Sequence, residues 1–432
     1  MCFESRTITE IENTVNQPIS RRRFNLSSLQ GATAVSIGAG VPGHWMQTLA
    51  ASLSEQRAKD DRILVVIQLT GGNDGLNTII PFADERYQKA RPKLAISASD
   101  VLSIDSQTGL HPSMRGIANL LEERKFCIVN GVGYSNPNRS HFESMDIWHS
   151  CQRKGSRSND GWLGRLSASN TDPERTDSFG LHLGTEQMPL ALAGRGVQTP
   201  SLATIEQLRW KGISKSKLDG EGAATMSKPR KGNDTESSLL DFVSASTSTA
   251  MQASKQLDKA MATPDKAGDF PDSQLGEKLK VISRLILAGL RTQVYYVTLD
   301  GFDTHANQLA AHASLIRQWS DALTAFHKRM ADAGCSNRVL AFTFSEFGRR
   351  VAENASQGTD HGAAAPTFLS GPNLGVSMLG DRPNLSDLDD GDIKFHTDFR
   401  SVYATLLEDW LGMPSKNILL GDHHALVGLK FS

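Results

Sequence analysis

The run Arg62-Ile63-Leu64-Val65-Val66-Ile67-Gln68-Leu69, followed at once by Thr70-Gly71-Gly72-Asn73-Asp74-Gly75, constrains the fold more than any other stretch. A strand apolar on both sides belongs in a sheet covered on both faces, the usual setting of parallel strands. The glycine-rich turn at its carboxyl end is where such sheets place ligands. Phe126 to Val129, Val294 to Leu299, Val339 to Phe344 and Thr367 to Leu369 have the same character, each ending near Gly, Asp, Ser or Glu. Between them, Leu279, Ile282, Ile286 and Leu290 fall at helical spacing, as do Leu315, Trp319, Leu323, Phe326 and Met330. Strands alternating with amphipathic helices predict an α/β fold: a mainly parallel central sheet with helices on both faces.

A chain of 432 residues exceeds the usual size of a single core, so an embedded subdomain or insertion is expected. The composition shift to Lys, Gly, Ser, Asp and Thr between Lys215 and Ser238, followed by a helical stretch from Leu239 to Met261, places that insertion at roughly 200–270. A formal net charge of −1 gives no global basic surface and so no nucleic-acid partner. Four cysteines, Cys2, Cys127, Cys151 and Cys335, are too few and too irregular for a disulfide scaffold or a CxxC zinc site; at most Cys151 and Cys335 pair. Cys127 lies in an apolar run and reads as a small buried thiol. The first strand is not followed by GxGxxG, which counts against a nucleotide-binding oxidoreductase.

Near the amino terminus, Ser20-Arg21-Arg22-Arg23-Phe24-Asn25-Leu26 resembles the twin-arginine export motif, and Phe24 to Ser54 then contains no Asp, Glu, Lys or Arg. Residues 1–55 are thus assigned to a signal peptide and linker, with cleavage near Ala50 or Ala51, and residues 56–432 to one α/β domain. The resemblance implies the twin-arginine translocase as partner and a periplasmic or secreted destination. No run of about 18 consecutive apolar residues occurs, so a permanent membrane span is not expected.

Three clusters sit after predicted strands. Asp74 lies on the first glycine-rich turn, where a carboxylate can approach a cation, although a turn-capping aspartate looks the same in sequence. Asp300-Gly301-Phe302-Asp303-Thr304-His305 gathers two carboxylates and an imidazole, donors suited to zinc, manganese or magnesium. Thr359-Asp360-His361-Gly362 follows Ser345-Glu346-Phe347-Gly348-Arg349-Arg350 and can offer adjacent Asp and His if the backbone turns sharply. His111, His141, His149 and Glu346 are possible additional ligands.

The series Asp74, Asp300 or Asp303 with His305, Asp360-His361 and His396 resembles the metal-ligand series of the alkaline-phosphatase superfamily. Gly71 to Asn77, Gly109-Leu110-His111-Pro112, Arg139-Ser140-His141-Phe142 and Gly301 to His305 are similar to the exported proteins of domain-of-unknown-function family 1501, over roughly residues 62–412. That resemblance implies an alkaline-phosphatase-like sandwich. It implies one or two divalent ions (zinc, manganese, magnesium or calcium), with Asp74, Asp360 and His361 at one and Asp300 or Asp303, His305 and His396 at the other. It further implies hydrolysis of a small anionic phosphate or sulfate ester by in-line displacement. Ser140 is the first choice of nucleophile, Ser135 in Ser135-Asn136-Pro137-Asn138-Arg139 the alternative, and Arg139 the holder of the substrate anion. The alternative function is a non-catalytic exported binding or assembly protein that keeps the fold.

Overall fold

The computed structural model describes residues 61–156, 159–170, 178–197, 199–202 and 270–431. The twin-arginine segment, the cleavage positions and nearly all of the insertion at 200–270 lie outside them.

Nine strands form the central sheet: β1 (Ile63–Thr70), β2 (Phe126–Gly133), β3 (Gly180–Leu183), β4 (Ser201–Leu202), β5 (Val294–Asp300), β6 (Val339–Phe344), β7 (Ala365–Ser370), β8 (Met378–Leu379) and β9 (Thr397–Asp398). Their order is β8-β2-β7-β6-β1-β5-β3-β4, with β9 also on β2. β1 is central and runs parallel to β5 and β6, so that Thr70 stands beside Asp300 and Gln68 beside Phe344. Only β7 is antiparallel, to both β6 and β2. The architecture is the mainly parallel α/β sheet expected from the apolar runs.

Side-chain alternation along β1 divides the core in two, because successive residues of a strand face opposite sides. Ile63, Val65, Ile67 and Leu69 pack on one face with Leu279, Ile282, Ile286, Trp319, Leu323 and Phe326. Leu64 and Val66 pack on the other with Trp148, Trp162, Phe399, Tyr403 and Trp410. The first face is covered by α2 (Arg115–Glu122), α5 (Gln274–Leu287) and α6 (Gln308–Asp332), the second by α3 (His141–Ser150), α4 (Trp162–Ser169) and α7 (Phe399–Thr405); a single turn, α1 (Gly75–Thr78), follows β1. The helical spacings in the sequence thus mark the buried faces of α5 and α6, although Leu290 lies just beyond the end of α5 and Leu315 is half-buried. No helix among the described residues is long and apolar enough to cross a membrane.

Cys151 and Cys335 do not pair. Cys151 belongs to the second core and Cys335 packs against the first, so the sheet lies between them, and both are free thiols. Cys127 is buried in β2, where loss of water around the thiolate pushes its thiol up to about 12.

Topology also fixes where chemistry can sit. β1, β2, β5 and β6 all run the same way, so the segments leaving them emerge at one edge of the sheet. β7 runs oppositely, and the segment entering it, Asp360 to Ala364, arrives at that same edge.

Candidate metal centre

Four side chains from three segments of the chain meet at this edge. Asp303 and His305 follow β5, His361 precedes β7, and His141 opens α3 after β2. Asp303 Oδ1 lies 3.0 Å from His305 Nε2, 3.1 Å from His361 Nε2 and 3.5 Å from His141 Nε2. The Nε2 atoms of His305 and His361 are 2.9 Å apart. Among the described residues, His141, Asp303 and His361 are the group whose donor atoms lie close enough together to share one ion.

The opposite nitrogen of each imidazole is held by an acceptor. His141 Nδ1 is 2.9 Å from Glu346 Oε1, His361 Nδ1 is 2.7 Å from the Arg139 carbonyl oxygen, and His305 Nδ1 is 3.3 Å from Asp360 Oδ1. Carboxylates and carbonyls only accept, so Nδ1 must donate in each contact. The neutral ring then turns a lone pair on Nε2 inward. His141 Nε2 is buried without a hydrogen-bond partner. The hydrogen bond to Glu346 chiefly raises the His141 pKa.

Glu346 is itself fully buried and accepts from the Gly71 amide at 2.9 Å, which ties the ring of His141 to the turn after β1. Gly71 has φ of 116°, and a Cβ there would lie 2.4 Å from the Asp303 amide nitrogen, so only glycine lets the two turns approach. Arg349, with its side chain fully buried, donates to the carbonyls of Gly71, Gly72, Phe302 and Thr359 and to Asp303 Oδ1 at 2.7 Å. Burial alone would raise the Asp303 pKa, but the hydrogen bond and the charge of the Arg349 guanidinium bring it down to about 2.

The other sequence candidates lie elsewhere. Asp74 caps α1 by accepting from the Asn77 amide, and its Oδ2 receives Arg91 Nη1 at 2.6 Å, both side chains being at most 1% exposed. Asp300 is the exposed last residue of β5 and does not join the converging donors. His396 contacts Thr397 Oγ1 and the Asp381 carbonyl, its ring filling the space above Gly131, where a Cβ would fall 2.0 Å from Nε2. Asp360 joins through His305. His111 stacks edge-on to His312, and His149 bonds Gln68 and Tyr296 in the core beneath. Ser140 is the exposed residue capping α3, yet its hydroxyl makes no capping bond. Ser135 is exposed on the preceding loop, its carbonyl held by Arg153. Arg139 points its guanidinium at Asp390 and Asp392.

Sequence reasoning counted His141 and Glu346 only as additional ligands and did not single out Arg91, or Gln308, whose side-chain amide also donates to Asp74 Oδ2. The available signal for His141 was its position just after an apolar strand, within Arg139-Ser140-His141. For Arg91 no local signal exists.

A family model described as protein of unknown function (DUF1501) matches residues 61–386. No curated protein matches the chain. Among solved structures, the lipoteichoic acid synthase LtaP from Listeria monocytogenes is similar at 11% identity and a TM-score of 0.39, over 84% of this chain and 76% of that one. A protein in the alkaline phosphatase superfamily from Vibrio parahaemolyticus is similar at 10% identity and a TM-score of 0.38, over 83% and 68%. A sulfatase from Pseudoalteromonas sp. is similar at 10% identity and 0.37, over 90% and 75%. The chemistry of this chain therefore rests on its own geometry.

Proposed function

The chain belongs to the DUF1501 family, proteins of unknown function, and from that premise we propose that it is an exported, metal-dependent hydrolase of phosphate or sulfate esters, delivered by the twin-arginine route. One observation carries the reading: three imidazole Nε2 atoms converge on one Asp303 oxygen while their Nδ1 atoms face acceptors. Lone pairs 2.9 Å apart, as on His305 and His361, repel; a metal ion at the site relieves them, as a proton between the two rings also does. The orphaned Nε2 of His141 supports the same fit.

His141, Asp303 and His361 would hold the ion and His305, beside His361, would join them on a shift of its ring, with Glu346, Asp360 and the Arg139 carbonyl orienting the three imidazoles. Three nitrogens and one oxygen suit zinc, and manganese less well; magnesium and calcium favour oxygen ligands. Asp74 already faces a buried guanidinium, which supports one ion rather than two. The ion would supply Lewis acidity toward an oxygen of the ester. Arg139, beside Ser140, offers planar donors to the substrate anion. Ser140 Oγ is uncommitted and adjacent to His141, which supports it over Ser135 as nucleophile.

Metal analysis of protein expressed with its export route intact should give about one equivalent of a divalent ion, zinc foremost. Ser140→Ala should then abolish ester turnover with metal content unchanged, and Ser135→Ala should cost little. Less than about a tenth of an equivalent, with no gain on reconstitution, would count decisively against the reading.

A further inference from the structure

Beside the converging histidines lies a cavity of about 630 Å³, lined in part by Asn136, Asn138, Arg139, Asp390, Asp392 and Lys394. Arg139 belongs to both places, since its carbonyl holds His361 while its guanidinium faces the cavity. One wall is a hairpin that pairs Leu388–Asp389 with Asp392–Ile393. Asp390 and Gly391 close it with φ of 50° and 85°, the left-handed pair of a tight two-residue turn.

The two carboxylates on this hairpin hold Arg139 unequally. Asp392, with its side chain 2% exposed, takes Nε at 2.9 Å and Nη2 at 2.6 Å. Asp390, with its side chain 77% exposed, reaches only the outer edge, at 3.3 Å from Nη1 and 3.2 Å from Nη2. Arg350 completes the group, 3.0 Å from Asp390 and 3.4 Å from Asp392. Two guanidinium and two carboxylate groups balance in charge. An anion that takes the outer edge of Arg139 displaces only the more exposed of the two carboxylates, which keeps its contact with Arg350. A tetrahedral oxyanion can place two oxygens along the Nη1/Nη2 edge that Asp390 covers with one.

We propose that the outer edge of Arg139 is the oxyanion subsite of the cleft, and that Asp390 is a built-in competitor which phosphate or sulfate oxygens displace on binding. Asp392 remains as the buried anchor that keeps the guanidinium aimed. This deepens the ester-hydrolase reading, on which it rests for the identity of the anion; the exchange between Arg139 and Asp390 does not involve the metal ligands.

The test is the affinity of the full chain for inorganic phosphate and sulfate by calorimetry, as purified and again after chelation, with metal content recorded on the same samples. Asp390→Asn removes the charge and keeps an Asn-Gly turn that favours the same backbone. It should bind both anions about two- to five-fold more tightly, the worth of an exposed ion pair. Asp390→Ser should do the same, and the gain should vanish when either change is combined with Arg139→Gln. An unchanged Kd, a gain that survives Arg139→Gln, or no measurable anion binding by any of these proteins overturns the proposal. Protein that contains no metal but shows the exchange sinks the metal centre alone.

Discussion

Asp74 and Asp303 start from the same position in the fold and end in opposite states. Each sits on a glycine-permitted turn just past the carboxyl end of a strand, and those strands, β1 and β5, are parallel neighbours. Asp74 is sealed: Arg91 donates to it and to Asn77, and the remaining guanidinium nitrogens reach the carbonyls of Val351 and Arg350. Asp303 stays about half exposed and gathers three imidazoles. A carboxylate that meets a buried guanidinium becomes part of the scaffold. One that meets oriented imidazoles at an open edge remains available for a ligand.

The sharpest way to break that contrast is to remove the guanidinium. Arg91→Met leaves Asp74 as an uncompensated buried charge and should lower unfolding stability by about 3–5 kcal/mol, read from denaturant midpoints. His361→Ala in metal-free protein should stay within about 1 kcal/mol of the parent, because its ring lies on the open side. Equal losses would erase the distinction between scaffold and site.

A smaller effect is expected at the orienting groups. Asp360→Asn weakens the hold on His305 Nδ1 without touching a proposed ligand atom. Metal affinity should fall about 10- to 100-fold, with the unfolding midpoint of chelated protein unchanged. Affinity equal to the parent's would remove His305 from the centre.

The smallest expected effect sharpens the sealed side. Burial pushes His312, which bonds Asn73 beside Asp74, down to about 4, and does the same to His111. The unfolded chain takes protons on these rings below pH 6.5, whereas the folded chain refuses them until about pH 4. Stability of chelated protein should therefore fall with acidification through that window. Between pH 7.5 and pH 6, His312→Gln should reduce the loss by roughly 1 kcal/mol. An identical pH profile for the variant would show that His312 already protonates in the folded state. Asp74 acts later. Burial opposes its charge but Arg91 more than compensates, so its pKa lies below 3.8 and its contribution disappears only as pH falls through that lowered value.

Much of the fold was legible in the sequence. The five apolar runs are β1, β2, β5, β6 and β7, and the helical spacings fall on α5 and α6. Local chemistry suffices there, since a run buried on both sides and a face repeating at helical spacing each report their own surroundings. The antiparallel sense of β7 was not legible. It depends on which neighbours the strand meets, yet it is what brings His361 to the edge where β5 delivers Asp303 and His305.

The site divides along the same line. Sequence alone determined that acidic and imidazole groups would follow apolar strands on glycine-permitted turns, and that Asp74 could be either ligand or cap. Tertiary structure decided that Arg91 closes over Asp74, that His141 arrives from the start of α3, and that His396 turns away to fill the space over Gly131. The physical reason is range: propensity and periodicity act over a few residues, whereas partners for a buried charge or a lone pair come from wherever the chain returns, and neighbouring residues do not encode which arrives.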